Sequence, residues 1–477
     1  MIHKYFCHLV CFFAYIFLSN HQAHAKDNQY TIDALLQMGL PVVEIQTNDN
    51  VEPTAEPINP PLGSIGGSIT NATKVPGRVR VWLPNGTLTY DSGDYVKDES
   101  GMTIKIRGNW SGRTIKPPYK IKLQKKADLL HRGDDTKYKD KDWLLLRDQF
   151  MNLNLKIGLR VNELIGMQWT PAAEYVQLLF NGDFRGLYLL TEAVKRNPSS
   201  RLNVDKDSGY IIEYDAYWWN ESVTFQGTMS DTRFRYSFKY PDDDDITEEQ
   251  LNYIQGATRI MEASISQGTY PDYLDVSSFA RWMLAHDILG NTDGGGSNIY
   301  LTKYDDTSDS KFMMANLWDF DRIMEASSTW AHIRYSDEFY FLHLFNSPNK
   351  LFTQTYVNLW RMQGAAIINS VIEELEQFAA SEKATYLNEA RKLDVQRWHL
   401  SPYISIEEDV RSATTWFKQR KEWLDNAIED MGASFIEPIS PKSESTTSSF
   451  DVLGIQYSYP LGKHRIIIHD GHKYLIR

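Results

Sequence analysis

The chain has 477 residues, 42% of them hydrophobic and 13% aromatic, which is enough for two or three domains or one two-lobed molecule with a large core. Its formal net charge of −12 makes nucleic acid a poor partner, because surfaces that bind nucleic acid are usually basic. Both cysteines, Cys7 and Cys11, lie in the first 25 residues, which excludes disulfides, thiol catalysis and Cys-ligated metals from the rest of the chain.

Residues 1–25 have the pattern of a secretory signal. Lys4 precedes a short apolar run at 9–18, and Ala23 and Ala25 form a small-x-small cleavage site. The run is too short to cross a bilayer and no later segment is apolar for long enough, so we expect no transmembrane anchor after cleavage. Residues 26–75 are predicted to be an N-terminal extension with one strand at 40–45.

From residue 76 onward the sequence predicts strands and turns. Asn85 and Gly86 separate two alternating segments, which is a strong hairpin signal. A helix is predicted from residue 152 or 154 to 164. Strands are predicted at 79–83, 87–90, 102–107, 119–123, 175–180, 186–190 and 210–213.

A cluster of basic side chains lies between residues 101 and 127, without any acidic residue among them. In a chain this acidic, the cluster is typical of an anion site, although a hairpin with a solvated lysine face has the same composition. Its members are Lys105, Arg107, Arg113, Lys116, Lys120, Lys122, Lys125 and Lys126.

After residue 242 the sequence is mainly of helical type. Helices are predicted at 276–288, 350–363, 372–388 and 410–431. Residues 436–449 are predicted to be a linker rich in Ser and Thr, and residues 450–477 a short β tail.

The most informative motif is Asp319-Phe320-Asp321, which follows Asp293 and Asn298 in the chain. Protein kinases present their catalytic groups in this order along the chain: an Asp, an Asn five residues later, and then Asp-Phe. Phosphoryl transfer needs such a set, because one carboxylate faces the nucleophile while hard oxygen ligands hold a metal against the charged phosphates. The motif therefore indicates phosphoryl transfer.

Several segments together, in this order, resemble the CotH kinase family, a group of atypical kinases similar to spore coat protein H. The resemblance covers roughly residues 40–430. The segments that carry it are 106–111, 116–123, 142–145, 176–188, Glu192, 240–241, 291–293, 318–321 and 420–425.

This resemblance implies an α+β fold of the atypical protein-kinase type with two lobes. The sheet-rich N-terminal lobe would span about 76–200 and the mostly helical C-terminal lobe about 201–435, followed by the β tail. The family also implies ATP and Mg²⁺ or Mn²⁺ as cofactors. A Ser or Thr hydroxyl of a secreted or cell-surface protein would be the phosphate acceptor.

Carried over by position, Asp293 would be the catalytic carboxylate, and Asn298 and Asp319 would bind the metal. Asp321 is expected to be a further metal ligand. It lies two residues beyond Asp319, and two such side chains in a strand point the same way. A turn carboxylate that caps backbone N–H groups is the alternative.

The same carry-over places four residues near the nucleotide. Arg107 would belong to the loop that covers the phosphates. Lys120 or Lys122 would reach the phosphates, and the sequence does not choose between them because they share one face of a strand. Glu192 would either contact the nucleotide or form a local salt bridge.

Residues 450–477 are similar to the C-terminal tails of secreted Bacteroidota proteins, including type IX sorting tails. That similarity implies a periplasmic, cell-surface or secreted protein of a Gram-negative bacterium, and a small capping hairpin is the alternative.

Two other functions stay open at this point. One is a catalytically inactive surface or matrix protein on the same fold, because ATP is scarce outside the cytoplasm. The other is a carbohydrate-binding or carbohydrate-active protein, suggested by 13 Trp, 27 Tyr and the closely spaced Glu213 and Asp215.

Overall fold

The structure is a computed structural model that describes residues 30–62, 69–109, 111–133, 136–147, 153–229, 234–295, 298–330 and 339–433, together with four short strands between residues 449 and 476. The signal predicted at 1–25 and nearly all of the linker predicted at 436–449 lie outside these residues. The chain divides into two compact units, Met1–Met431 and Gly432–Arg477. Among the described residues, no helix has both the length and the apolarity that a membrane span requires.

The N-terminal region is rich in strands, as predicted. Alternation of buried and half-exposed residues is clearest in the fourth strand, where the buried positions begin at Val75 and recur at every second residue. In chain order the strands are β1 (Val42–Thr47), β2 (Ala55–Ile58), β3 (Ile69–Ala72), β4 (Val75–Trp82), β5 (Leu88–Asp91), β6 (Met102–Ile106), β7 (Tyr119–Ala127), β8 (Asp140–Leu146), β9 (Ala173–Phe180) and β10 (Asp183–Glu192).

The main sheet of this region closes on itself, which the sequence did not predict. Strand β1 pairs in parallel with β9 on one side and antiparallel with β4 on the other, so the order β1-β9-β10-β8-β7-β6-β4 returns to β1. Strand β5 is added beside β4, and β2 and β3 pair with each other. Apolar side chains such as Val79, Ile121 and Leu178 fill the interior of the barrel-like sheet.

A second, antiparallel sheet lies in the part of the chain that was predicted to be mostly helical. Its order is β12-β13-β11-β14-β15. The central strands are buried along their whole length, so they lack the alternation that marks a half-buried strand. The five strands are β11 (Tyr210–Asp215), β12 (Thr224–Phe225), β13 (Arg235–Tyr240), β14 (Ile299–Lys303) and β15 (Phe312–Met314).

Helices dominate the rest of the first unit. They are α1 (Ile32–Leu36), α2 (Asn154–Leu164), α3 (Glu248–Gln267), α4 (Val276–Leu289), α5 (Phe341–Asn346), α6 (Leu351–Leu359), α7 (Ala365–Ala379), α8 (Glu382–Trp398) and α9 (Ile406–Ala433). The predictions of α2 and α4 are confirmed. The helix predicted at 372–388 is wrong, because the chain ends α7 before residue 380 and starts α8 with Ser381 as its N-cap.

The second unit is the short β tail that the sequence predicted. Its strands follow the order β17-β16-β18-β19 and pair antiparallel. They are β16 (Ser449–Asp451), β17 (Gln456–Tyr457), β18 (Arg465–His469) and β19 (His472–Ile476). A sorting role for this unit stays a prediction.

Candidate functional site

A cavity of about 830 Å³ lies inside the first unit. Its volume falls in the range of sites for small molecules and cofactors, roughly 300–1,000 Å³. Strands β6, β7 and β8 contribute to one part of its lining, and the loops that follow α4 and β15 contribute to another. Of the eight residues predicted to bind nucleotide or metal or to act in catalysis, six line this cavity: Arg107, Lys120, Asp293, Asn298, Asp319 and Asp321.

Three carboxylates meet at one point of the cavity wall. One ligand oxygen from each of Asp293, Asp319 and Asp321 lies within 4.8 Å of the other two. Asp319 and Asp321 do not lie in a strand, which is the case in which the sequence predicted that their side chains would point the same way, because β15 ends at Met314 and Asp319 has a φ of 61°. The two carboxylates converge through this left-handed turn, not through strand geometry.

Asparagine side chains fix the backbone of this cluster. Asn291 Nδ2 donates to the carbonyl oxygen of Asp319 at 3.1 Å, and Asn291 Oδ1 accepts from the backbone N–H of Asp293 at 3.0 Å. Asn298 Nδ2 donates to Asp319 Oδ2 at 3.3 Å. Asn154, at the start of α2, donates through Nδ2 to the carbonyl oxygen of Asp321 at 3.2 Å.

The sequence interpretation missed Asn291, which is fully buried and joins the Asp293 loop to Asp319. One signal was present in the sequence, since an Asn two residues before another polar loop residue is typical of an Asx turn. That signal predicts the contact to Asp293, but it carries no information about the contact to Asp319.

The electrostatics of the cluster favour a bound cation. Burial raises the pKa of Asp319, and the charge of Asp293 raises it further, while Arg107 acts in the opposite direction. Burial together with the charge of Asp319 raises the pKa of Asp321 to about 7. A divalent cation would relieve this crowding of negative charge.

The donor set also fits a hard divalent metal. Carboxylate oxygens are the ligands that Mg²⁺ and Mn²⁺ prefer. Asp321 Oδ1 is fully buried, and among the described residues no N–H or hydroxyl group donates to it, since the neighbouring polar group is the carboxyl of Asp319. A buried carboxylate oxygen without a donor is costly unless a cation or a proton binds it. The residues present therefore fit a metal such as Mg²⁺ or Mn²⁺.

Basic side chains line another part of the same cavity. Lys105, Arg107 and Lys120 come from β6, the loop after it and β7. Lys120 Nζ lies 2.9 Å from Asp142 Oδ1. Burial alone would raise the pKa of Asp142, but the charges of Lys120 and Lys195 lower it below its usual value, so this carboxylate stays ionised and holds Lys120 in place.

Two of the predicted nucleotide-binding residues lie elsewhere. Lys122 is exposed and is absent from the cavity lining, so of the two candidate lysines the structure brings only Lys120 into the cavity. Glu192 is also absent from the lining. Its Oε1 accepts from Arg132 at 3.0 Å and its Oε2 accepts from the backbone N–H of Ala172 at 3.0 Å, so Glu192 forms a salt bridge, although with a residue 60 positions away in the chain rather than with a sequence neighbour.

A second polar group lines the cavity on β11 and β13. Lys239 Nζ lies 2.7 Å from Glu213 Oε2. Asp215 accepts from the backbone N–H of Tyr217 at 2.7 Å and from Ser237 Oγ at 3.0 Å. Burial and the charge of Glu213 raise the pKa of Asp215 to about 7. The sequence had identified Glu213 and Asp215 but missed Lys239, since β13 was not predicted.

Comparison with known proteins adds one finding. A search of curated proteins found no match. Residues 104–424, about two thirds of the chain, match the sequence model of the family described as CotH kinase protein. The matched range includes all the cavity residues described above, from Lys105 to Asp321. The chain therefore belongs to the CotH kinase protein family.

Proposed function

We propose that this protein is a metal-dependent phosphotransferase that moves the terminal phosphoryl group of ATP to a Ser or Thr hydroxyl of another protein. One observation carries the proposal: three carboxylates meet within 4.8 Å in a cavity that Arg107 and Lys120 also line. A triphosphate with its metal needs both kinds of group, because the cation requires oxygen ligands and the phosphates require positive charge.

In this proposal the molecule is kinase-like, with two lobes. The closed sheet supplies the basic side of the cavity, and the helical region supplies the carboxylates through the loops after α4 and β15. The order of these groups along the chain supports the arrangement. The basic residues come first, Asp293 and Asn298 follow, and Asp319 and Asp321 come last.

Asp319, Asp321 and Asn298 would hold Mg²⁺ or Mn²⁺. When bound, such a cation neutralises negative charge on the phosphates. Asn298 already donates its side-chain N–H to Asp319, which directs both side chains to one place. Arg107 and Lys120 would bind the phosphate oxygens, and the ion pair with Asp142 keeps Lys120 from adopting other positions.

Asp293 would orient the acceptor hydroxyl and take its proton. As the bond from the acceptor oxygen to the terminal phosphorus forms, the bond from that phosphorus to the bridging oxygen breaks, and ADP leaves with the electron pair. The hydrogen bond from the backbone N–H of Asp293 to Asn291 Oδ1 fixes the backbone of the residue that carries this carboxylate.

Nucleotide binding and phosphate transfer test the proposal separately. We expect ATP with Mn²⁺ to raise the melting temperature of the wild type, and Asp319→Asn to abolish this response, because it removes a ligand charge. Asp293→Asn should keep the response and lose phosphate transfer to an acceptor protein. The matched control is Asp309→Asn, an exposed position on the β14–β15 loop, which should behave as wild type.

Two outcomes would contradict the proposal. The first is a wild type that shows no thermal response to ATP with Mn²⁺ at millimolar concentration. The second is an Asp319→Asn variant that transfers phosphate at the wild-type rate. Binding without any transfer by the wild type would favour the catalytically inactive alternative.

A further inference from the structure

Helix α9 contributes a fully buried arginine, Arg420, to the junction between the end of α4 and the segment that follows Asp321. Arg420 Nε donates to the carbonyl oxygen of Asp287 at 2.7 Å, and Arg420 Nη2 lies 3.5 Å from Asp287 Oδ1. Arg420 Nη1 donates to the carbonyl oxygens of Ser328 and Trp330, both at 2.9 Å. One guanidinium thus joins two segments that are far apart in the sequence.

Each of these segments continues into part of the carboxylate cluster. Asp287 lies near the end of α4, and the chain runs from there into the loop of Asp293. Ser328 and Trp330 lie on the segment that follows Asp321. The Arg420 guanidinium therefore lies between two segments that each lead to part of the carboxylate cluster.

Neighbouring contacts support the same junction. Trp416, one turn before Arg420 on α9, donates through Nε1 to the carbonyl oxygen of Ala326 at 3.0 Å. Its ring also lies against Gly290, where a Cβ would stand 2.7 Å from the ring. The two segments meet directly as well, since the backbone N–H of Met324 donates to the carbonyl oxygen of Leu289 at 3.0 Å.

We propose that Arg420 is a positioning residue that fixes the relative placement of the Asp293 loop and the segment after Asp321, and so sets the geometry of the cation site. The inference rests on the proposed function. A guanidinium presents its donors in a rigid plane and serves several acceptors at once, whereas a lysine ammonium has three donors at the end of a flexible stem. Lysine at position 420 cannot hold both segments in the same way.

Amide hydrogen exchange tests the junction without any nucleotide. In Arg420→Lys we expect exchange at least tenfold faster in residues 288–295 and 322–330 together. The matched control is Arg391→Lys on α8, because Arg391 is also buried and also pairs with an aspartate, Asp409, at 3.0 Å. The control should leave both segments unchanged. Faster exchange in one segment alone, or the same pattern in both variants, would overturn the proposal.

Mn²⁺ affinity, measured by electron paramagnetic resonance, tests the consequence for the cation site. We expect Arg420→Lys to weaken Mn²⁺ binding at least tenfold and Trp416→Phe about threefold, with cooperative melting retained. Should Arg420→Lys not fold, Trp416→Phe decides, because it removes the N–H that donates to Ala326 and keeps a smaller aromatic side chain at this position. Unchanged affinity in the folded variants would refute the positioning role. A wild type that binds no Mn²⁺ would count against the proposed function, while hydrogen exchange would still decide the role of Arg420.

Discussion

Three acidic side chains in the cavity lie where burial makes their ionised forms unfavourable. Asp319, Asp321 and Asp215 all have raised pKa values, and in each case burial is the largest cause. Groups kept in this state reduce the stability of the folded protein, so they are typical of sites where a ligand supplies the missing interaction. The cavity therefore has the electrostatics of a binding site.

Asp215 makes the stability of the protein depend on pH. Its pKa is raised from 3.8 to about 7, so between these values the folded protein keeps a proton that the unfolded chain releases. Its contribution to the free energy of unfolding therefore falls as pH rises from about 4 to 7. Since one pKa unit corresponds to about 1.4 kcal/mol, the loss is on the order of 4 kcal/mol by pH 8.

We expect Asp215→Asn to remove this loss. The amide keeps an oxygen for the N–H of Tyr217 and offers an N–H to Ser237 Oγ, so the packing is retained. Urea unfolding from pH 4 to pH 8 should show a variant that equals wild type at pH 4 and exceeds it at pH 8. Asp309→Asn, at an exposed position, is the control. An equal difference at both ends of the pH range would contradict the prediction.

At the scale of secondary structure elements, the site depends on how closely α2 packs against the turn between Asp319 and Asp321. Phe320 is buried there, and a Cβ at Gly158 of α2 would overlap its ring. A glycine in the middle of a helix is unfavourable by about 1 kcal/mol relative to alanine, so this one is retained at a cost to α2. The close approach of the Phe320 ring to α2 explains why position 158 is a glycine.

We predict that Gly158→Ala lowers stability by about 1–3 kcal/mol, because the overlap with Phe320 outweighs the gain in helix propensity. It should also weaken Mn²⁺ binding, since Phe320 separates two of the carboxylates. Gly256→Ala in α3 is the matched control. A Cβ there meets nothing within 4 Å, so this variant should gain about 0.5–1 kcal/mol. Thermal unfolding and Mn²⁺ titration measure both effects, and a stabilised Gly158→Ala would contradict the packing argument.

The elements that could be predicted from the sequence are those with a local sequence signal. The hairpin at Asn85 and Gly86, helix α2 and helix α4 have turn residues or apolar spacing of their own. Sequence reasoning missed β14, which is buried along its whole length, and it placed one helix across the junction of α7 and α8. No Gly or Pro marks that junction, so Ser381 was read as a helical residue rather than an N-cap.

The residues of the candidate site differ in the same way, since a local signal predicts some of them and not the others. Asp293, Asn298, Asp319 and Asp321 were identified because their order along the chain is itself the signal. Lys239 was not identified, since its role depends on strand pairing that brings β13 beside β11. The contacts of Arg420 join residues that are far apart in the sequence, and no pattern within one segment predicts them.

At the scale of the whole molecule, one buried ion pair joins the N-terminal region to the helices. Lys116 Nζ lies 2.6 Å from Asp394 Oδ1 on α8, and both side chains are almost completely buried. Lys116 also donates to the carbonyl oxygen of Leu187, and Asp394 accepts from the backbone N–H of the same residue at 2.9 Å. Both members of the ion pair therefore make a further hydrogen bond to the backbone of Leu187.

We expect Lys116→Met to lower the free energy of unfolding by about 3–5 kcal/mol, because Asp394 is left as an unpaired buried charge. Lys392→Met is the control, since Lys392 forms an ion pair of similar length with Glu389 at the surface, and its loss should leave stability close to that of the wild type. Chemical unfolding of both variants measures the difference. Equal effects would show that burial of the Lys116 pair has no energetic importance.

The ring of strands in the N-terminal region has a consequence for how the protein is made. A ribosome delivers β1 together with its antiparallel partner β4, but its parallel partner β9 is synthesised only after β5, β6, β7 and β8. Until then the nascent chain presents unpaired backbone groups along β1, and such groups can recruit strands from other molecules. Expression fragments that end between Thr47 and Ala173 should for this reason aggregate, and any truncation intended to isolate the N-terminal region has to retain the chain through β10.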